Sequence, residues 1–306
     1  MKQLLALLML LSLCTLSACG GSSVSASSDS YGAASLESGI DVTVKSQPPE
    51  TPVKYAVETT VYGDSTYADD GTKLAEYHYE LPTLKAYRED GSEITVANGS
   101  AEKKALTETA AFDTQFDVWA KAEGFADTAA AAKEDYTWQM QNQGDWFGYD
   151  EELTYAAYQT EHLVSIAAVY YSYTGGAHPN HTELGWTFDL DTGSFISPAS
   201  LALDGQSFQE AVTAEIIRQA KIVAQSYQME LAEYFLENYE SVVADWPSYA
   251  VSFNEDGMTV SFSPYELACY AAGSQMFTIG YDFLLPYLSD EGLTLLGLAP
   301  ETTAEQ

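Results

Sequence analysis

The densest group of chemistry-bearing side chains in this sequence is Tyr173-Thr174-Gly175-Gly176-Ala177-His178-Pro179-Asn180-His181, followed by Glu183. Two imidazoles and a carboxylate this close invite a metal reading, but zinc needs three or four converging ligands. Histidines at i and i+3 converge on a helical turn. Here they span a strand-to-loop transition that contains a proline, and His78 and His162 lie far away in the sequence. No metal and no cofactor is expected. The structural alternative is that His178 bonds the backbone around the glycine turn and holds it shut. Ser172, His178 and Asp189 contain the residue types of a nucleophile, a base and an orienting acid. No Gly-x-Ser-x-Gly elbow accompanies them, and no catalytic residue is assigned. Tyr265-Glu266 follows a strand and Pro264, so it could place a carboxylate in a groove lined by Tyr173 and His178. The simpler reading buries Tyr265 in the core and uses Glu266 to cap a helix that begins at Tyr265. The candidate binding set is Tyr173, Gly175, Gly176, His178, Asn180, Tyr265 and Glu266.

The elements that would position this set are legible from side-chain periodicity. Val169 to Tyr173 is an apolar, aromatic strand end running into the glycine pair, which permits positive φ. Proline after His178 pushes that residue toward extended geometry. Leu184, Trp186, Phe188 and Leu190 alternate, so they share one strand face. The run His162–Tyr170 is apolar almost throughout, which predicts a strand covered on both faces; Leu153–Tyr158 pairs with it through a turn at 159–161. Val53–Tyr62 and Lys73–Tyr87 read as strands, the second interrupted at Pro82, a sign of an edge or bulge. Leu106, Ala110, Phe112, Phe116 and Trp119 give helical spacing over 100–122, ended by Gly124, and a second helix is predicted from Asp127 to Gln143. Ser207-x-x-Glu210 reads as a capping box opening a long helix. Strands at 249–253 and 258–263 flank the turn Asn254-Glu255-Asp256-Gly257, a hairpin signal. A strand at 276–280 and a short helix at 282–288 follow. The fold class is therefore α+β, with antiparallel sheets and packed helices.

Composition bounds the function. Twelve Lys and Arg against 45 Asp and Glu give a formal net charge of −33. Such a surface repels nucleic acid and anionic lipid, so no nucleic-acid partner is expected, and it speeds the arrival of a cationic one. Among so many carboxylates, no acid–base pair stands out. The 22 Tyr, 12 Phe and 5 Trp suit core and cross-strand pairs, with sugar stacking as the functional alternative.

At the N-terminus, Lys2 and the apolar run Leu4–Leu13 form a signal peptide too short to span a bilayer, and Leu16-Ser17-Ala18-Cys19 resembles a bacterial lipobox. Cys19 would carry the lipid, giving a protein anchored to the outer side of the bacterial cell membrane. Residues 19–52, rich in Ser, Gly and Pro, read as a disordered tether. After processing, Cys269 is the one remaining cysteine, so no intramolecular disulfide forms, and it is read as a small buried hydrophobe.

Two stretches carry a family resemblance. Tyr173 to Asn180 with Phe188-Asp189-Leu190-Asp191-Thr192-Gly193, and Phe262-Ser263-Pro264-Tyr265-Glu266-Leu267-Ala268-Cys269-Tyr270-Ala271-Ala272-Gly273, resemble the extracellular RsiV-like domain of lysozyme-sensing anti-sigma factors. The chain departs from that pattern at Cys269, where the family has proline, and at 195–201. Tyr79-Glu80-Leu81-Pro82-Thr83-Leu84 resembles, more weakly, the N-terminal domain found beside the PdaC peptidoglycan deacetylase. The resemblance implies an N-terminal α+β domain over 53–180, a C-terminal RsiV-like domain over 181–290 and a tail over 291–306. It also implies capture of lysozyme or another cationic, wall-directed protein. Deacetylase motifs are missing from the sequence, so that activity does not carry over. Neither does anti-sigma function, because the expected anchor is a lipid. The expected role is non-enzymatic binding. The alternative is a cell-envelope hydrolase, or a peptidoglycan-processing or glycan-binding factor, using His178, Tyr265 and Glu266.

Overall fold

Alternating apolar residues build most of the fold into two sheets. A computed structural model describes residues 52–299, all within one compact unit. The expected signal peptide, the expected lipid site Cys19, most of the expected tether and the end of the expected tail lie outside the described residues. A six-stranded sheet runs in the order β1 (Lys54–Tyr67), β2 (Lys73–Tyr87), β3 (Tyr149–Gln159), β4 (Leu163–Tyr173), β5 (Asn180–Asp189) and β6 (Ser194–Phe195). All neighbours are antiparallel except β2 and β3, which are parallel. A second, antiparallel sheet runs β7 (Ala250–Asn254), β8 (Gly257–Phe262), β9 (Gln275–Gly280). The partition expected at residue 180 falls in the β4–β5 hairpin, within the larger sheet.

Between β2 and β3 the chain forms α1 (Ser100–Thr114), α2 (Asp117–Ala120) and α3 (Phe125–Gln141). The expected single helix over 100–122 is thus broken near Phe116. Gly124 takes φ 97° at the boundary, as its position suggested. Phe112 and Phe116 pack on one face of the large sheet with Leu153, Val164, Ile166 and Phe188. Strand β2 runs unbroken through Pro82, which corrects the expected interruption. Pro82 pairs with Thr59 of β1, while β3 accompanies β2 only from Ala75 to Tyr79, so Pro82 has a strand on one side only. Further along that stretch the Leu84 N–H donates to the Asp113 carboxylate of α1 at 2.9 Å. An edge amide is thereby satisfied by a helix side chain.

The other face of β4 is covered at one end by the small sheet. Leu163 belongs to the core built with Val251, Phe253 and Met258. Phe253 N–H donates to the buried Ser165 Oγ at 2.7 Å. On β5, Gly185 lies so close to β7 that a Cβ there would stand 2.4 Å from the Val251 carbonyl oxygen. Strand β4 is therefore buried on both faces from Leu163 to Ile166, as its apolar run predicted, whereas its end toward Tyr173 is only half-buried. The same core takes in α4 (Gly205–Ser226), α5 (Leu231–Tyr234), α6 (Tyr239–Ala244), α7 (Tyr281–Leu284) and α8 (Asp290–Leu295) around Phe208, Trp246 and Phe262. The cap of α4 corrects the expected box: Asp204, not Ser207, is the N-cap, and its carboxylate accepts from Ser207 N–H at 2.7 Å. A capping box does form at Glu230 and Glu233.

Candidate functional site

The small sheet covers only part of its face of the large one. Paired residues share a face, and the pairing aligns Gly63, His78, Glu152, Tyr171 and His181 in one row across β1 to β5. Glu76, Asp150 and Tyr173 form the next row, toward the end away from the small sheet. Burial pushes the Asp150 carboxyl up, and the neighbouring Glu76 and Glu152 add to it. Tyr171 is pushed up likewise, by burial first, then by Asp150, Tyr270 and Glu152. The open end of this face therefore carries Asp150 and Glu152, with Glu76 ion-paired to Lys73 and tyrosine and histidine side chains among them.

Two loops wall this end. In the first, Gly175 (φ 85°) and Gly176 (φ 93°) turn the chain after β4. The Tyr173 hydroxyl donates to the Gly176 carbonyl at 3.3 Å. His178 Nδ1 lies 2.9 Å from the carbonyl of Pro179, which can only accept, so this nitrogen carries the proton. Nε2 lies 3.4 Å from the Tyr265 hydroxyl. The glycine turn is thus fastened by Tyr173, and His178 fixes its own ring toward the second loop.

That second loop follows β8. Ser263 N–H donates to Glu266 Oε2 at 2.6 Å, and Glu266 N–H donates to the Ser263 carbonyl at 3.0 Å. Ser263 Oγ accepts the Glu183 N–H of β5 at 3.0 Å, which ties the loop to the large sheet. Burial raises the Glu266 carboxyl above its ordinary range, and Glu183 adds to the effect. Tyr265 is held at φ 72°, the left-handed region that side chains other than glycine rarely adopt, and it is 57% exposed. This corrects the expectation of a core tyrosine at a helix start: Glu266 closes a turn, and Tyr265 stands in solvent. Cys269 is also exposed, not buried. Its neighbours Leu267 and Ala268 take the buried positions, and Ala268 bridges to Phe235.

The loops meet through aromatic rings. His178 stacks on Tyr270 with centroids 3.7 Å apart and planes 19° from parallel. Tyr265 lies 6.2 Å from His178 and 5.7 Å from Tyr270, ring to ring. Tyr171 meets His181 edge to face at 5.3 Å. Beside Tyr270 is an open hollow of about 410 Å³, lined by His181, Pro264, Tyr270, Ala271, Gly273 and Ser274.

Of the residues singled out from sequence, His178 and Tyr265 converge. Tyr173, Gly175, Gly176 and Glu266 shape the loops beneath them, and Asn180 opens β5, exposed, opposite Ser172. Tyr171, Tyr270, Asp150 and Glu152 were missed as site residues, and His181 was weighed only as a metal ligand. The period-two patterns of β3, β4 and β5 could have placed four of these five on one face. A serine-type triad does not form: Asp189 sits at the far end of β5 from His178 and accepts from Asp191 N–H, Thr192 N–H and Thr192 Oγ1. That turn accounts for the Phe-Asp-Leu-x-Thr-Gly motif, with Gly193 at φ 67°. Among the described residues, no three His, Cys, Asp or Glu side chains are grouped to hold a metal, and no helix is long and apolar enough to cross a membrane.

An acidic sheet face walled by aromatic loops, on a two-sheet α+β frame, is what comparison with known proteins must account for. Residues 200–282 match the family described as "Protein of unknown function (DUF3298)". The match includes the Phe262–Gly273 loop and excludes the glycine turn at 175–176. A crystal structure of a member of the DUF3298 family from Bacteroides fragilis is similar over 78% of this chain and 94% of that one, with 12% identity and a TM-score of 0.51. At that identity the likeness shows the fold alone. A DUF3298 family protein from Pseudomonas aeruginosa aligns over 79% of this chain and 96% of its own, with 16% identity and a TM-score of 0.43. No curated protein matches the chain.

Proposed function

We propose that the chain is a non-enzymatic binding lipoprotein, held on the outer side of the cell membrane by a lipid on Cys19, that captures a cationic, wall-directed protein such as lysozyme. The observation that carries this reading is the exposed ring of Tyr265, held out at a strained backbone angle against Tyr270, on a molecule whose open sheet face bears Asp150 and Glu152. Strain kept at a surface aromatic is a mark of a functional position. An exposed aromatic on an acidic surface suits the lysine and arginine side chains of a basic protein. The net charge of −33 acts in the same direction by steering such a protein inward. The resemblance of the Tyr173–Asn180 and Phe262–Gly273 stretches to the RsiV-like domain supports lysozyme as the first partner to try.

The test is a pull-down of lysozyme by the full chain over a salt series. Retention at low ionic strength that weakens as salt rises is expected. No retention even at low ionic strength would remove the reading. The anchor is tested separately: mass spectrometry of the mature N-terminus should find a diacylglyceryl group on Cys19, and an unmodified N-terminus would contradict it.

A further inference from the structure

We propose that the hollow beside Tyr270 is a subsite for a guanidinium group, so that the cationic partner is engaged through an arginine side chain. This rests on the binding reading above and names the group recognised. One face of the Tyr270 ring is taken by His178, stacked at 3.7 Å. The ring also lines the hollow of about 410 Å³, together with His181, Pro264 and Ser274. That space lies toward the small end of the range for ligand pockets and opens to solvent, so it admits a guanidinium group with the stem that carries it.

Charge selects among groups that stack on a phenol ring. Glu152 pairs with Tyr171, which pairs with His181 at the edge of the hollow. Two strand spacings separate the Glu152 and His181 backbones, about 10 Å, close to one screening length at ~0.1 M salt. Asp150 and Tyr270 both act on Tyr171, so the carboxylates and the stacking ring share one neighbourhood. Glu183 lies two residues from His181 on the same strand face. A neutral sugar ring would gain the stacking contact but nothing from these carboxylates. A lysine ammonium would gain the charge, but it is compact, strongly hydrated and cannot lie flat on a ring. A guanidinium is planar, weakly hydrated and permanently charged, so it gains both. Cation–π pairs favour arginine over lysine for the same reasons.

The experiment measures binding of three probes to the full chain at one ionic strength: a hexa-arginine amide, a hexa-lysine amide of equal charge, and a neutral chito-oligosaccharide. The arginine peptide should bind about five- to tenfold more tightly than the lysine peptide, and the sugar weakly or not at all. Tyr270→Leu should abolish the difference between the peptides, whereas Tyr270→Phe, which keeps the ring, should retain it. Equal binding of the two peptides, or a preference that survives Tyr270→Leu in a folded variant, would overturn the subsite. Tighter binding of the sugar than of either peptide would overturn it in favour of a glycan site. Because the peptides are read independently of lysozyme, a failed pull-down with an intact arginine preference rejects the partner and keeps the subsite.

Discussion

The His178 imidazole lies flat against the Tyr270 ring, 3.7 Å between centroids, and so joins the turn after β4 to the loop after β8. The two residues are 92 positions apart, by subtraction of their numbers. Each belongs to a stretch that stood out in the sequence, and the contact makes one surface of them. His178 has one nitrogen committed to Pro179 and the other to Tyr265. Replacing it with Ala should loosen both loops. We expect weaker capture of a cationic protein together with a small fall in melting temperature, roughly 2–4 °C for each 1 kcal/mol lost. Loss of an enzymatic turnover with an unchanged melting temperature would instead mark His178 as catalytic.

Tyr265 should separate function from stability. A non-glycine residue in the left-handed region costs about 1–2 kcal/mol, and the exposed ring contributes little core packing to offset it. Tyr265→Gly is therefore expected to melt at the same temperature as the parent or slightly higher, while binding falls. Thermal denaturation beside a binding isotherm checks this. A destabilised variant with undiminished binding would show that the ring serves the fold.

Glu266 gives a pH dependence with a definite sign. Its folded-state pKa is raised, by burial first and by Glu183 second. A raised value means that the native state holds the proton more tightly than the unfolded chain. The stabilising contribution is therefore full below the ordinary carboxylate range and is lost as pH rises through the raised value. Glu266→Gln keeps an oxygen to accept the Ser263 N–H and removes the buried charge. It should raise the melting temperature at pH 8 by a few degrees, with the gain shrinking toward pH 4. A gain that grows as pH falls would reverse this assignment.

The contact between the two sheets rests on Gly185 and Ser165. A Cβ at Gly185 would meet the Val251 backbone at 2.4 Å, where no flexible side chain can yield. Gly185→Ala should cost at least the 1–3 kcal/mol typical of overpacking. Ser165→Ala leaves the buried Phe253 N–H without its acceptor, at a cost of about 1–3 kcal/mol. Chemical denaturation should show both losses. A neutral Gly185→Ala would mean that the sheets can part.

The strands were legible because each carries its pattern locally. The apolar run at 162–170 foretold a strand covered on both sides, which holds at its Leu163–Ile166 end, and the hairpin at 254–257 announced itself by its turn residues. Helix ends were less legible. Asp204 and Ser207 are both good cap residue types, and in the fold Asp204 caps while Ser207 supplies the N–H it accepts. The site was half legible. His178 and Tyr265 sit in distinctive motifs. The carboxylate row is a property of register across β2, β3 and β4, which no single stretch records. The core alternative for Tyr265 fails because the turn closed by Glu266 holds that residue at φ 72° with its ring in solvent.

The binding account is tested most directly by the affinity of the full chain for lysozyme, measured by calorimetry at about 20 mM and about 150 mM salt, between which the screening length shortens to about 8 Å. Binding at both concentrations, at least tenfold tighter at the lower and weakened by Tyr265→Gly at each, is the expected result. Heat signals that never rise above dilution at either salt, or an affinity indifferent to both salt and Tyr265, would contradict it.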